Sequence, residues 1–537
     1  MRKALAIFIS VLILVGPSAL ARIQQKPNPN IEREPSQTSA MDSVESGWLH
    51  GQNVPPAPDL TGTWSGATRF SGGRDVFTIM LARRGQSYTG TITDAAGLMK
   101  QVPLEDVRNA GGGLAFSFTA SLSSQDLHFE ATLKPENGRL IGTWTAEVGD
   151  TGSLAMERKE GPAPLLSVET PDHNGMAPQL TAAVQQVKFL VADELAKDNV
   201  GSVTVGIISG PDLIWAKSFG VADMEQKIPA TPDTVYRIGS ITKQFTGLML
   251  LQLVEAGKVH LSEPVEKFFP EINNIQGRQP WFPSPTFIQL ATMTAGLDRE
   301  PGGAPTFLVG PVSEWEKVLI AALPQVKYVS EPDTRYLYSN ISYAVLGAAL
   351  GRVAGQPYTE YVRDRILAPL GMTHTGFELD AEMGGKLAKG YDVARDGKAD
   401  PEGAARDHAA GRGYKVPNGG LYTTVKDLAR FVSFQLGEGP DTVLSRKALV
   451  ENTSRPIMAM LDLRAGYGIG FMVNRRRGLV IYGHAGEVAG YNAAAEFDRA
   501  TEAGVVVLRN VGGGRLRVGP LADRILETVV AAMKRVI

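Results

Sequence analysis

Val235-Tyr-Arg-Ile-Gly-Ser240-Ile-Thr-Lys243-Gln-Phe-Thr246 leads into an apolar-rich run, Ile241 to Ala256, that reads as a helix stopped by Gly257. Ser240 and Lys243 are three residues apart, so a helix places both side chains on one face. A serine hydroxyl is a poor nucleophile until a base removes its proton. A neutral lysine amine one turn away can be that base, provided burial and nearby positive potential lower its pKa from about 10.4. The positive end of the helix dipole adds to that potential and favours a developing oxyanion. Alone, the spacing is a weak motif: a helix-capping serine beside a solvated lysine gives the same string.

Two further segments change that reading. Tyr338-Ser339-Asn340 precedes a second helical run. A phenol can relay a proton to a leaving group, and an amide such as Asn340 can hold Lys243 and a substrate carbonyl at once. Taken singly, Tyr338 also reads as a buried aromatic with a satisfied hydroxyl. Later comes Tyr482-Gly-His484-Ala485-Gly486-Glu487, beside a strand. A donor on a strand edge can face the nucleophile, and Gly486 would let a substrate backbone approach closely. His484 by itself is an ordinary structural histidine. Gly-x-Ser-x-Gly is not met at Ser240, because Ile238 occupies its first position.

Ser-x-x-Lys, Tyr-x-Asn and His-x-Gly in this order resemble the serine β-lactamase and penicillin-binding-protein superfamily. The likeness is nearer to class C β-lactamases and their D-aminopeptidase and esterase relatives. Leu290-Ala-Thr-Met-Thr-Ala-Gly296-Leu, Pro369-Leu-Gly-Met-Thr-His-Thr375, Gly419-Gly-Leu-Tyr-Thr-Thr-Val-Lys-Asp-Leu428 and Tyr467-Gly-Ile-Gly-Phe471 support it. The resemblance implies that Ser240 is acylated and that Lys243 and Tyr338 share the base and acid roles. It implies that Asn340, His484, Gly486 and Glu487 bind substrate. The backbone N–H groups of Ser240 and Glu487 would form the oxyanion hole. No metal or cofactor is implied. The expected activity is hydrolysis of amide or ester bonds in a small-molecule or peptide substrate. A true class C-like β-lactamase, a D-aminopeptidase or carboxypeptidase, and a non-hydrolytic penicillin-binding receptor are the alternatives.

Two departures bear on substrate. The third motif is usually Lys-Thr-Gly in β-lactamases and transpeptidases; here it is His484-Ala485-Gly486. An ammonium becomes an imidazole expected to titrate at about pH 6.5, and a hydroxyl becomes a methyl. Both changes predict weaker recognition of a free carboxylate. Relatives often carry His-Thr-Ser-Gly-Leu where this chain has Met293-Thr294-Ala295-Gly296-Leu297, so Met293 is expected to pack rather than react. The Gly- and Pro-rich segment from Arg299 to Pro311 reads either as a rim loop over the site or as a surface excursion.

Around these motifs the texture is mixed α/β. Leu180 to Asp198 has helical spacing. Ser202 to Ser209 and Leu213 to Phe219 read as strands joined at Gly210-Pro211-Asp212. Leu479 to Gly483, Ala493 to Asp498 and Gly504 to Arg509 read as strands, and Leu521 to Val536 as an amphipathic helix. Terminal helices flanking an antiparallel sheet, with an inserted helical region, make an α+β plan of β-lactamase/transpeptidase type over residues 180–537.

The 537 residues suit more than one domain. Residues 1–21 read as a signal peptide: Arg2 and Lys3, an apolar stretch from Ala4 to Val15, then Ala19-Leu20-Ala21. The apolar stretch is short of the about 20 residues a bilayer span needs. An exported protein, periplasmic or extracellular, with no stable membrane span after signal removal is expected. Residues 22–58 read as a flexible linker and 161–179 as a second. Between them, residues 59–160 show short β-type runs separated by Gly, Asn and Asp turns, a small antiparallel sandwich or barrel. Leu60-Thr-Gly-Thr-Trp64, Tyr88-Thr-Gly-Thr-Ile92 and Leu140-Ile-Gly-Thr-Trp144 repeat a local pattern. It reads as a glycine opening a strand plus a core tryptophan, or as the wall of a ligand cup. The Gly-Thr-Trp start resembles the lipocalin-like barrels attached to some relatives. A formal net charge of -2, with no basic stripe, argues against nucleic acid as partner. Without cysteine the chain has no disulfide, thiolate metal site or cysteine nucleophile.

Overall fold

The computed structural model describes residue 60, residues 62–158 apart from 71–72, 85–86, 95–98, 100–101, 111–112 and 123–124, and residues 178–534 apart from 394–398, 454–457 and 460–463. The expected signal peptide and the linker at 22–58 lie outside these residues. Two compact units divide the chain, Met1–Ala163 and Pro164–Ile537.

The first unit is a meander. Strands β1 (Gly62–Phe70), β2 (Gly73–Arg84), β3 (Ser87–Asp94), β4 (Val102–Pro103), β5 (Glu105–Ala110), β6 (Gly113–Leu122), β7 (Gln125–Glu136), β8 (Arg139–Ala146) and β9 (Thr151–Arg158) form one antiparallel sheet. β9 returns to pair with β1. The chain from Val102 to Ala110 pairs first with β3 and then, past Leu104, with β6. The two ends of the meander therefore meet and the sheet closes on itself. Alternate side chains point inward along each strand. Those of Trp64, Ile79, Phe116, Leu133, Leu140 and Met156 fill the interior, as side chains can in a barrel of this size. Trp64 donates its indole N–H to the Leu60 carbonyl at 2.9 Å, which matches the core-tryptophan reading of the repeated pattern.

The second unit opens with helix α1 (Pro178–Ala196), two residues earlier than expected, because proline is well suited to a first helical turn. Its sheet runs β10 (Ser202–Ser209) and β11 (Asp212–Asp223), then β12 (Met472–Arg476), β13 (Leu479–Val488), β14 (Tyr491–Asp498) and β15 (Ala503–Arg509). In space β15 lies between β10 and β14, and β13 between β14 and β12. Val505 and Val507 face one side, with α1 and the last helix, Val518–Met533. Val506 and Leu508 face the other, with the helical region. Both faces are covered, which is why this strand is a continuous apolar run.

Inside the helical region lie α2 (Thr242–Glu255) and α3 (Asn340–Ala354), both buried along most of their length. A helix apolar on all sides is one enclosed by protein. Among the described residues no helix is long and apolar enough to cross a membrane.

Candidate active site

The site begins where the short strand Tyr236–Arg237, paired with Tyr422–Thr423, turns at Gly239. Gly239 has φ 49°, a conformation that a side chain disfavours. Space forbids one as well: a Cβ there would lie 2.7 Å from the Glu487 backbone nitrogen. From the other side, a Cβ on Gly486 would lie 1.9 Å from the Ile238 oxygen and 3.1 Å from the Ser240 nitrogen. Two glycines thus let β13 and the Ser240 turn meet backbone to backbone. This corrects the expectation for Gly486: the main chain it admits is the protein's own. The contact also brings the amides of Ser240 and Glu487 to one wall.

Gly239–Ile241 forms a 3-10 turn, and α2 proper starts at Thr242. Residues three apart eclipse in such a turn, so Lys243 points back toward Ser240. Its Nζ lies 3.0 Å from Ser240 Oγ, 2.7 Å from Asn340 Oδ1 and 2.9 Å from the Asn418 carbonyl oxygen. Lys243 is fully buried. Burial, with Lys415 and Arg299 nearby, holds its amine well below the usual lysine range, against an opposing pull from Glu300. Tyr338 donates its hydroxyl to Ser240 Oγ at 2.8 Å. Burial pushes this phenol up to about 12, so it keeps its proton.

Asn340 is placed by a cap. Ser339 accepts from the Ser342 nitrogen and starts α3 there. The Asn340 amide donates to Glu300 Oε1 at 2.6 Å. Glu300 also accepts from the Tyr414 hydroxyl and from Lys415 Nζ, the latter at 3.1 Å. The segment from Arg299 to Pro311 is therefore part of the site: Glu300 braces Asn340, Leu308 lines the cleft, and the Arg299 guanidinium sits 5.1 Å from the Tyr338 ring centre. Met293 is buried, and its sulfur accepts from the Ser339 nitrogen at 3.2 Å, a packing role.

His484 lies within β13, opposite Ala495. Its Nδ1 faces the Ala485 carbonyl, and its Nε2 is 3.0 Å from the Tyr467 hydroxyl. The carbonyl fixes the proton on Nδ1, so Nε2 accepts from Tyr467. Burial and the neighbouring Lys243 push the imidazole down to about 3. The expected titration at about pH 6.5 is thus corrected: the ring is neutral and packed 6.1 Å, centre to centre, from Tyr338.

An open cleft of about 410 Å³ starts at Ser240 and is lined by Leu308, Asn340, Asp407, Arg412, Lys415, Asn418, Gly419, Glu487 and Val488. The structure brings Ser240, Lys243, Tyr338, Asn340 and Glu487 together there, whereas His484 sits behind Tyr338. Glu300, Asn418, Arg412, Lys415 and Tyr467 went unrecognised in the sequence as site residues. Asn418 directly precedes Gly419-Gly420 and Tyr467 opens Tyr467-Gly-Ile-Gly-Phe471, so two of them had a neighbouring signal. Among the described residues no group of three or more His, Asp or Glu could hold a metal ion.

The sequence model of the Beta-lactamase family matches residues 187–529. Beta-lactamase-like protein 2 of Dictyostelium discoideum is 29% identical over 340 residues, 61% of this chain and 59% of that protein. The chain thus spans about three-fifths of that relative's length. The octameric penicillin-binding protein homologue from Pyrococcus abyssi superposes with a TM-score of 0.55 at 28% identity, covering 65% of this chain and 77% of that one. The D-amino acid amidase from Ochrobactrum anthropi gives a TM-score of 0.54 at 23% identity, covering 67% and 99%, a likeness of fold.

Proposed function

The chain belongs to the Beta-lactamase family, and we propose on that premise that it is an active-site-serine hydrolase cleaving amide or ester bonds through an acyl-enzyme. One observation carries the reading: Ser240 Oγ lies within hydrogen-bond reach of a buried lysine amine and of a protonated phenol.

A neutral amine has two N–H bonds and one lone pair. The Asn340 Oδ1 and the Asn418 carbonyl take both N–H bonds, which leaves the lone pair toward Ser240. As Oγ attacks a carbonyl, its proton passes to Lys243. The amides of Ser240 and Glu487 stabilise the oxyanion, where one donor is typically worth about 3–4 kcal/mol. Tyr338 protonates the leaving group, and the Lys243 ammonium restores the Tyr338 proton. Asn340 has one N–H committed to Glu300 and keeps its other for a substrate carbonyl. Water then hydrolyses the ester on Ser240.

The neutral His484 supplies no cation at the position where β-lactamases carry the lysine of Lys-Thr-Gly, a departure that supports an amidase or esterase whose substrate is not gripped at that strand. A panel of nitrocefin, p-nitrophenyl esters and D-amino-acid anilides tests this. We expect turnover of esters or anilides, and loss of about a thousandfold or more in Ser240→Ala with unchanged circular dichroism. Retained hydrolysis in Ser240→Ala would falsify the mechanism. Fast nitrocefin turnover would make the protein a β-lactamase instead, and stable penicillin labelling without turnover would make it a receptor.

A further inference from the structure

We propose that Arg412 and Lys415, backed by Arg237, form a subsite beside Ser240 that holds a free carboxylate on the substrate, close to the scissile carbonyl. The proposal rests on the hydrolase reading and names the substrate class that its cleft selects.

Charge is the first argument. Arg237 and Arg412 are buried, with side chains 2% and 8% exposed, and both lean on one carboxylate, Asp407, at 2.8 and 3.2 Å. Two guanidiniums sharing one counterion leave a buried positive surplus, which is costly unless an anion completes it. Glu300 is taken by Lys415. Glu487 also lines the cleft but is exposed, where solvent screens its charge. The neutral Lys243 and His484 add no cation of their own. Arg299 adds one more positive group at the Tyr338 ring.

Unmet hydrogen bonds are the second. Arg237 Nη2 and Arg412 Nε are buried without a hydrogen-bond partner among the described residues. Buried donors of this kind are normally satisfied, and a guanidinium fork fits the two oxygens of a carboxylate.

Position is the third. Arg412 Nη2 donates to the Gly419 carbonyl at 3.2 Å. A Cβ built on Gly419 would lie 3.4 Å from that same Nη2 and 3.9 Å from the Gly239 Cα. Gly419 therefore lies between the guanidinium and Gly239, the residue that precedes Ser240. Lys415 lines the same cleft and commits one of its three N–H bonds to Glu300. A substrate acylating Ser240 would carry its carboxylate into this corner. Weak carboxylate recognition was expected from His484-Ala485-Gly486 alone; here the cations come from a different part of the chain.

Two ester pairs test the subsite, each differing by one carboxylate. Mono-(4-nitrophenyl) glutarate against 4-nitrophenyl butyrate places the charge on the acyl side. 4-Acetoxybenzoate against its methyl ester places it on the leaving side. We expect the charged member of one pair to have the higher kcat/KM by about tenfold, and Arg412→Gln and Lys415→Gln each to cut that preference severalfold, mainly through KM. Arg412 is buried and its replacement can unfold the chain, so the partly exposed Lys415 is the second variant. Glutarate binding to the full-length Ser240→Ala protein, by calorimetry, is a readout free of chemistry: binding that is weakened by adding Lys415→Gln supports the subsite. Neutral esters favoured in both pairs, or a carboxylate preference that both variants leave intact, overturns the subsite while the hydrolase reading stands. If no ester is turned over, the calorimetry decides the subsite alone, and the absence of glutarate binding there sinks it.

Discussion

A lysine can serve as a base only while its amine is neutral, and its surroundings decide that. Lys243 is enclosed by α2, α3 and the Asn418 carbonyl, with Lys415 and Arg299 as the cations facing it. The same enclosure neutralises His484, and this has a consequence for stability. The imidazole sits at about 3 when folded against about 6.5 in an unfolded chain. As pH falls below 6.5, the unfolded chain takes up a proton that the folded protein refuses. The stability contribution is therefore complete above 6.5 and is lost as pH falls toward 3. Unfolding free energy of the native protein should drop more steeply than that of His484→Gln in this window, by up to about 1.4 kcal/mol per pH unit. Denaturant titrations at pH 7, 6 and 5 measure it; parallel slopes would show that His484 does become protonated in the folded state. Residue type and spacing were enough to single out Ser240, Lys243, Tyr338 and Asn340. They could not reveal Glu300 or Lys415, since a carboxylate and an ammonium on a loop read as solvated charges until the fold sets them against Asn340.

Elements, not single groups, set the distance between the two amides proposed to hold the oxyanion. β13 runs straight through His484-Ala485-Gly486 to Val488, although a glycine in a strand pattern usually signals an interruption. The strand was legible as far as Gly483. Beyond it, the Ser240 turn packs onto Gly486, and a contact across about 250 residues of chain leaves no local trace. The glycine is thus a spacer between two main chains, and Gly486→Ala separates the two readings of it. If it only admitted substrate, the alanine would alter KM and leave stability alone. With the Ile238 oxygen 1.9 Å from the added carbon, backbone must shift, so the variant should lose about 2 kcal/mol or more of stability and most of kcat. Thermal melting beside kinetics decides between these outcomes.

At the scale of the molecule, the groups of the proposed active site come from a span that starts at Ser240 and ends at Glu487, all within Pro164–Ile537. The sheet behind them is joined by a pairing the sequence does not announce: β10, from the first hairpin, lies against β15, from the last strands, with Val203 opposite Arg509. Apolar residues mark both strands as buried, in β15 as a continuous run, but nothing in either says which strand is its neighbour. The barrel, by contrast, is a meander in which each strand pairs mainly with the next, and the turn residues between its runs made it readable. Its apolar cluster draws only on residues from Leu60 to Met156, while the two main clusters of the second unit draw on residues from Val184 onward. Separate cores imply separate folding. Residues 164–537 made without the barrel should fold, react with a fluorophosphonate at Ser240, and hydrolyse small esters within about threefold of the full chain, since a domain with its own core can fold alone. If that shortened chain is insoluble or unreactive while the full chain reacts, the barrel is part of the catalytic fold, and the division of the molecule into an autonomous hydrolase and an appended barrel is wrong.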